Sequence, residues 1–234
     1  MKKGWWIFIG IIVLIVLVLG FFGFVPGLSN ILGANKPKDL GVKYSEADLA
    51  AGRAMTGVTL EAMPATDKSL AFSGSKSISG TYTNEIITAM INGAKYKYYP
   101  ITNAQVKISD DGTIETSGNF NISKAVVWSN TLGGDKGLGE KAQSYIGTVS
   151  SNPSFYLKGK MTVVNNQITL NIDSAKISRF NAPKSIIDQY QGQLADFVGQ
   201  RIANIPGMNI NSAMFAGSKM VLDGSYPAVE KSVR

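Results

Sequence analysis

Ser73-Gly74-Ser75-Lys76 places a hydroxyl and an amine three residues apart. A lysine beside a serine can take its proton and release a nucleophile, the Ser-x-x-Lys arrangement of a Ser-Lys hydrolase. The companions of that arrangement are missing, since the chain carries neither Ser-Asp-Asn nor Lys-Thr-Gly. The four residues also sit in a Ser/Gly-rich stretch, which reads as a solvated loop. The chain has no His and no Cys. A Ser-His-Asp triad, imidazole or thiolate metal sites, haem attachment and disulfides are therefore excluded. Carboxylates such as Glu85, Glu115 and Asp196 are scattered, with no spacing that pairs them for acid–base work. The expectation is a non-enzymatic protein without a cofactor or a metal.

Binding chemistry has more candidates. The stretch "SDDG" hints at a calcium loop, but with Gly112 at the sixth position the first ligand would be Lys107, a cation. Asn121-Ile122-Ser123 matches a glycosylation sequon but falls inside a strand pattern. "AKYKYYP" interleaves Lys95 and Lys97 with Tyr96, Tyr98 and Tyr99. It reads either as an aromatic-basic patch for lipid or glycan, or as the strand or turn that leads into a hairpin. The net charge of +7 raises the question of nucleic acid. Past the N-terminus, however, Lys and Arg stand singly, with no run of three and no Gly-rich phosphate loop. No nucleic-acid partner is expected. A basic surface outside a membrane meets anionic head groups or wall polymers, or serves only solubility.

The elements that would position these residues follow from periodicity. "NAQVKISDDGTIETSGNF" alternates, breaks and alternates again. A three-residue loop, Asp110-Asp111-Gly112, sets Ile108 opposite Ile114 and puts Gly112 at the left-handed position. Ile114, Phe120 and Ile122 then share one face, while Lys107, Glu115 and Ser117 face water. A second hairpin turns at Asn165-Asn166, with Val163 opposite Ile168 and Met161 opposite Leu170. A third turns near Gly217-Ser218. Ser45 caps a short helix with Glu46 and Asp48 in its first turn, and Thr83-Asn84-Glu85 opens another. Leu70 to Ser79 reads as a strand. Residues 129–153 read as a loop, or as a loop with one short helix near Lys141 to Ile146. The only long helix runs from about Pro183 to Ile205, with Ile187, Tyr190, Leu194, Phe197, Val198 and Ile202 in its apolar stripe. Sequential hairpins interleaved with helices give an α+β layout.

The N-terminus has its own pattern. From Trp5 to Phe24 no charge occurs, a length of roughly 30 Å as a helix, the thickness of a hydrocarbon core. Lys2 and Lys3 precede it, which orients the N-terminus to the cytoplasm and the remainder outside. Trp5, Trp6 and Phe24 take the border positions of a single-pass membrane anchor. A cleaved signal peptide is the rival reading, disfavoured by the length of the run and by bulky Phe21, Phe22 and Phe24. Residues 1–24 are thus the cytoplasmic tip and transmembrane anchor, 25–43 a Gly/Pro/Asn-rich linker, and 44–234 the extracytoplasmic domain.

The order of elements carries a resemblance. It runs from "YTNEIITAMIN" and "ITNAQVKISDDGTIETSG", through "GKMTVVNNQITLNIDSAKISRFNAPKSIIDQYQGQLADFVGQRIANIPGMNI", to "SKMVLDGSYP". This resembles the tubular lipid-binding (TULIP-like) proteins, which include membrane-anchored bacterial envelope members. The likeness covers residues 81–227 and rests on element order, without a signature motif. It implies a curved antiparallel sheet wrapped around the long amphipathic helix, with an acyl chain held between them. Ile187, Tyr190, Leu194, Phe197, Val198 and Ile202 would line that cavity. The function it implies is lipid binding or shuttling at a cell membrane. The alternative is an envelope scaffold or adhesion module that binds a protein or wall polymer through an exposed edge or patch.

Overall fold

A computed structural model describes residues 3–21, 25, 27–64, 69–131 and 152–234, the side chains of residues 3–10 and 129 excepted. In chain order the first half comprises α1 (Lys3–Phe21), α2 (Leu28–Ile31), α3 (Glu46–Thr56), β1 (Thr59–Ala62), β2 (Leu70–Ser73), β3 (Lys76–Thr83), α4 (Asn84–Asn92), β4 (Ile101–Ile108), β5 (Ile114–Phe120) and α5 (Ile122–Thr131). The second half comprises β6 (Ser154–Val164), β7 (Gln167–Ile177), β8 (Phe180–Asn181), α6 (Lys184–Asn204), β9 (Asn209–Ala216), β10 (Lys219–Tyr226) and β11 (Val229–Ser232). The fold is α+β, with a curled, half-barrel antiparallel sheet and a long helix.

The large sheet runs β3-β10-β9-β6-β5-β4, and the β6–β7 hairpin lies along it. All three hairpins have the expected turns. Ile108 pairs with Ile114, and Gly112 takes φ +79°. Val163 pairs with Ile168 and Met161 with Leu170, across Asn165 and Asn166 at φ 50° and 63°. β6 pairs with β5 along its first half and meets β9 at Val163 and Val164. The β4–β5 and β9–β10 tips therefore abut, and Gly217 N–H donates to the Asp110 carbonyl at 3.1 Å.

β4 would be an open sheet edge, and α4 closes it. Asn84, Thr88 and Asn92 recur every four residues, roughly 6 Å of helix rise. Ile108, Val106 and Ala104 recur every two, roughly 6.6 Å of strand. The two rises nearly match, so each polar side chain faces one residue of the strand. Asn84 Oδ1 accepts from Ile108 N–H at 2.8 Å, Thr88 Oγ1 from Val106 N–H at 3.0 Å, and Asn92 Oδ1 from Ala104 N–H at 2.9 Å. Asn92 Nδ2 returns a bond to the Ala104 carbonyl at 2.9 Å. A helix with a polar stripe thus substitutes for the missing strand.

The apolar core gathers Ile78, Tyr82, Val163, Ile210, Ala213 and Leu222 from β3, β6, β9 and β10. Of the helices, α3 and α4 supply more of its cover, through Met55 and through Ile86, Ile87 and Met90, whereas α6 contributes Ile202. α3 begins as expected, with Ser45 and Asp48 forming a reciprocal capping box. It approaches α4 at Gly52, where an added Cβ would sit 2.6 Å from the Met90 side chain.

Four expectations change. Ser117, expected in water, is fully buried, because residues 34–42 run across that face of the sheet. The Gln105 side-chain oxygen accepts from Leu40 N–H at 2.7 Å, and Asn119 Nδ2 donates to the Asn35 carbonyl at 2.7 Å. Part of the expected linker is therefore bound to the domain. Ile122 opens a helix rather than extending β5, and Asn121 caps it by accepting from Lys124 N–H at 2.9 Å. The expected strand from Leu70 to Ser79 breaks at Gly74, φ +68°. The last residues add β11, which pairs parallel to β1 and antiparallel to β2 in a separate small sheet. The loop or helix expected near residues 141–146 lies outside the described residues.

Among the described residues no helix is long and apolar enough to cross a membrane. Phe24 and the side chains of Trp5 and Trp6 lie outside the description. At its other end α1 touches the domain, where the Arg179 guanidinium lies 4.0 Å over the Phe21 ring and donates to the Leu32 carbonyl at 2.5 Å.

Candidate ligand pocket

A cavity of about 350 Å³ opens between the small sheet and the helices α3 and α4. The sheet supplies its floor by simple alternation. Leu60 of β1, Glu230 of β11 and Phe72 of β2 stand side by side in register. The next residues point away, and there Glu61 and Lys231 pair at 2.9 Å on the outer face. Leu49 and Arg53 of α3 form one wall and Met90 and Ile91 of α4 another. Tyr99 and Trp128 close a third side, their rings edge to face with centroids 6.3 Å apart. Ile205 and Met208, just past α6, and Tyr226 at the end of β10 complete the lining.

This lining is apolar except for a few groups. Arg53 Nη2 donates to the Gly93 carbonyl at 3.1 Å, at the C-terminal end of α4. Lys95 is exposed at the rim. Glu230 is the carboxylate of the floor. Burial pushes its pKa above the ordinary carboxylate value, opposed by a hydrogen bond with Ser232 and by the charge of Arg234. Burial pushes the Tyr99 hydroxyl up to about 12, with Tyr226 adding to the effect. Tyr226 is likewise raised, by burial first and then by Tyr82 and Glu230. At neutral pH both phenols are therefore neutral hydrogen-bonding groups.

The residues expected to line a lipid cavity lie elsewhere. Ile187 is buried on α6, which packs on β7, and Ile202 reaches the core. Tyr190 and Leu194 are 49% and 39% exposed. Phe197 is half-buried beneath the Arg201 guanidinium, 4.7 Å above its ring, and Val198 is half-buried beside it. None of the six lines the pocket. Beside the expected helix–sheet position lies a second, more open groove of about 480 Å³, bordered by polar residues such as Asn165, Gln167, Asp196 and Gln200. It offers an acyl chain little apolar wall.

Ser73 and Lys76 fall at the end of β2 and the start of β3. Lys76 Nζ donates to the Gly57 carbonyl at 3.3 Å. Among the described residues no three carboxylates converge on one point. Glu115, read from sequence as an isolated carboxylate, is bound: Lys38 Nζ lies at 2.8 Å and the Tyr156 hydroxyl donates to it at 2.6 Å. These bonds lower its pKa, Lys38 first. This cluster fastens residues 34–42 and is structural.

Of the pocket, sequence reasoning singled out only "AKYKYYP", whose Lys95, Tyr96 and Tyr99 line the cavity; it missed the rest because the walls come from many separated segments. A further signal was present: in "AVEKS", Glu230 and Ser232 alternate with Val229 and Lys231, which marks a strand with one acidic position on a fixed face. Searches of protein-family models, curated proteins and solved structures find no match to this chain.

Proposed function

We propose that this protein is a non-enzymatic binder of a single apolar chain, such as an acyl lipid, held at a membrane by its N-terminal helix. The observation that carries the reading is the cavity of about 350 Å³ walled by Leu49, Leu60, Phe72, Ile91, Tyr99 and Trp128. A mainly apolar concavity of this size with a few polar groups suits a small ligand. The anchor rests on the uncharged run from Trp5 to Phe24, and the two lysines before it favour an extracytoplasmic domain. The TULIP-like resemblance agrees with an apolar guest, held here between helices and the small sheet instead of along α6.

The test is photolabelling of the full chain in membranes with an alkyl diazirine, read by peptide mass spectrometry. Labels concentrated on residues 58–72, 90–99 and 205–208 support the reading. Their absence from those segments refutes it.

A second reading is a scaffold that docks a protein partner. Ile186, Tyr190 and Leu194 lie one turn apart on α6, and all three are exposed, an apolar stripe of the kind that partners cover. Labels confined to residues 186–197 would favour that reading.

A further inference from the structure

Glu230 occupies the wrong face for a solvated charge. β11 is the central strand of its small sheet, flanked by β1 and β2. Its outward residue Lys231 already pairs with Glu61. Inward, the same row reads Leu60, Glu230, Phe72. A carboxylate is thereby inserted between two apolar neighbours at the floor of a cavity. Among the described residues no cation lies within ion-pair distance of it. Arg53 is engaged with the Gly93 carbonyl, Lys95 stands exposed at the rim, and Arg234 acts on Glu230 only as a nearby charge. Glu230 is half-buried; a carboxylate drawn out of water between apolar neighbours without a counter-ion is costly, and a ligand cation offsets that cost.

The remaining lining has the matching chemistry. Phe72 is the direct cross-strand neighbour of Glu230. Tyr99, Trp128 and Tyr226 line the same cavity. Aromatic rings attract cations through their negative faces, most strongly where water is excluded. Accepting the pocket as the ligand site, we propose that its ligand is an amphipathic amine, whose ammonium group pairs with Glu230 among these rings while its apolar body fills the cavity. A fatty carboxylate in the same pose would bring like charge against Glu230 and is the opposed alternative.

The experiment uses the full chain in nanodiscs of zwitterionic lipid, with empty discs as reference. Three six-carbon probes are titrated by calorimetry: hexylamine, 1-hexanol and hexanoate. At pH 8 hexylamine should bind about tenfold tighter than hexanol, a difference of about 1.4 kcal/mol, and hexanoate more weakly than either. In Glu230→Gln that preference should disappear while hexanol still binds, which also reports that the variant pocket is folded. As pH falls through the raised pKa of Glu230 the amine preference should shrink in the wild type alone. Tyr99 and Tyr226, both raised by burial, stay neutral throughout this range, so the loss of preference reports on Glu230. Equal binding of hexylamine and hexanol, an amine preference that survives in Glu230→Gln, or a preference for hexanoate each overturns this inference and leaves the apolar pocket standing. Failure of all three probes to bind overturns the pocket reading as well.

Discussion

Replacing Thr88 by Val tests whether α4 acts as a substitute strand. Thr88 is fully buried and Val106 nearly so. Thr88 Oγ1 accepts from Val106 N–H at 3.0 Å, and its return bond to the Val106 carbonyl is long, 3.5 Å. Valine has the same shape but no acceptor. The Val106 amide would then be buried without a partner, which costs about 1–3 kcal/mol. The added methyl offsets less than about 1 kcal/mol of this, so the expected net loss is roughly 1–2 kcal/mol. Urea unfolding of the full chain in detergent measures it, with an unchanged m value as the condition for comparison. Hydrogen exchange gives the local readout: the Val106 amide should exchange roughly 5- to 30-fold faster. Thr88→Ser, which keeps the acceptor, should restore most of the protection. α4 also walls the pocket through Met90 and Ile91, so the variant should weaken alkyl labelling there. A loss below about 0.5 kcal/mol, the scale of an ordinary surface change, with Val106 exchange unaltered, would refute the reasoning.

Other outcomes follow from the same geometry. Glu230→Gln should stabilise the unliganded chain at pH 8 and make no difference at pH 4; since burial raises the Glu230 pKa, its favourable protonated form is kept at low pH and lost as pH rises through that raised value. Denaturant melts at the two pH values decide this, and a variant less stable at pH 8 would contradict it. Glu115 has the opposite sign: its lowered pKa means that its contribution is present above the ordinary value of 4.5 and fades as pH falls through the lowered one. Lys38→Met should therefore flatten the acid limb of the stability curve, and an unchanged limb would show the contact to be idle. On α6, Ile187→Ala should cost about 2–5 kcal/mol as a buried truncation, against about 1 kcal/mol for half-exposed Tyr190→Ala; equal losses would mean that the outer stripe is covered. Gly112→Ala combines a left-handed backbone, φ +79°, with a Cβ that collides with the Phe215 carbonyl. It should cost more than about 1–2 kcal/mol, and wild-type stability would show that the hairpin tips do not meet.

The sequence was legible at short range. Asp110-Asp111-Gly112 and Asn165-Asn166 set the loops, and with them the registers of Ile108 with Ile114 and Val163 with Ile168, because turn geometry and two-residue alternation act over a few residues. The caps at Ser45 and Thr83 and the span of α6 were legible for the same reason. Tertiary structure decided which faces were covered. Ser117 reads as solvent-facing until residues 34–42 cross it, and the stripe of α6 reads as buried although Tyr190 and Leu194 remain exposed. Asn84, Thr88 and Asn92 look like ordinary helix polarity until β4 lies beside them. Glu230 is an unremarkable acidic residue in sequence. Its burial depends on β11 entering the small sheet between β1 and β2, nearly 160 residues from one of its neighbours in the chain (Phe72 to Glu230). Periodicity reports the faces of an element, but long-range pairing selects which face meets a cavity, and that selection is a property of the whole chain.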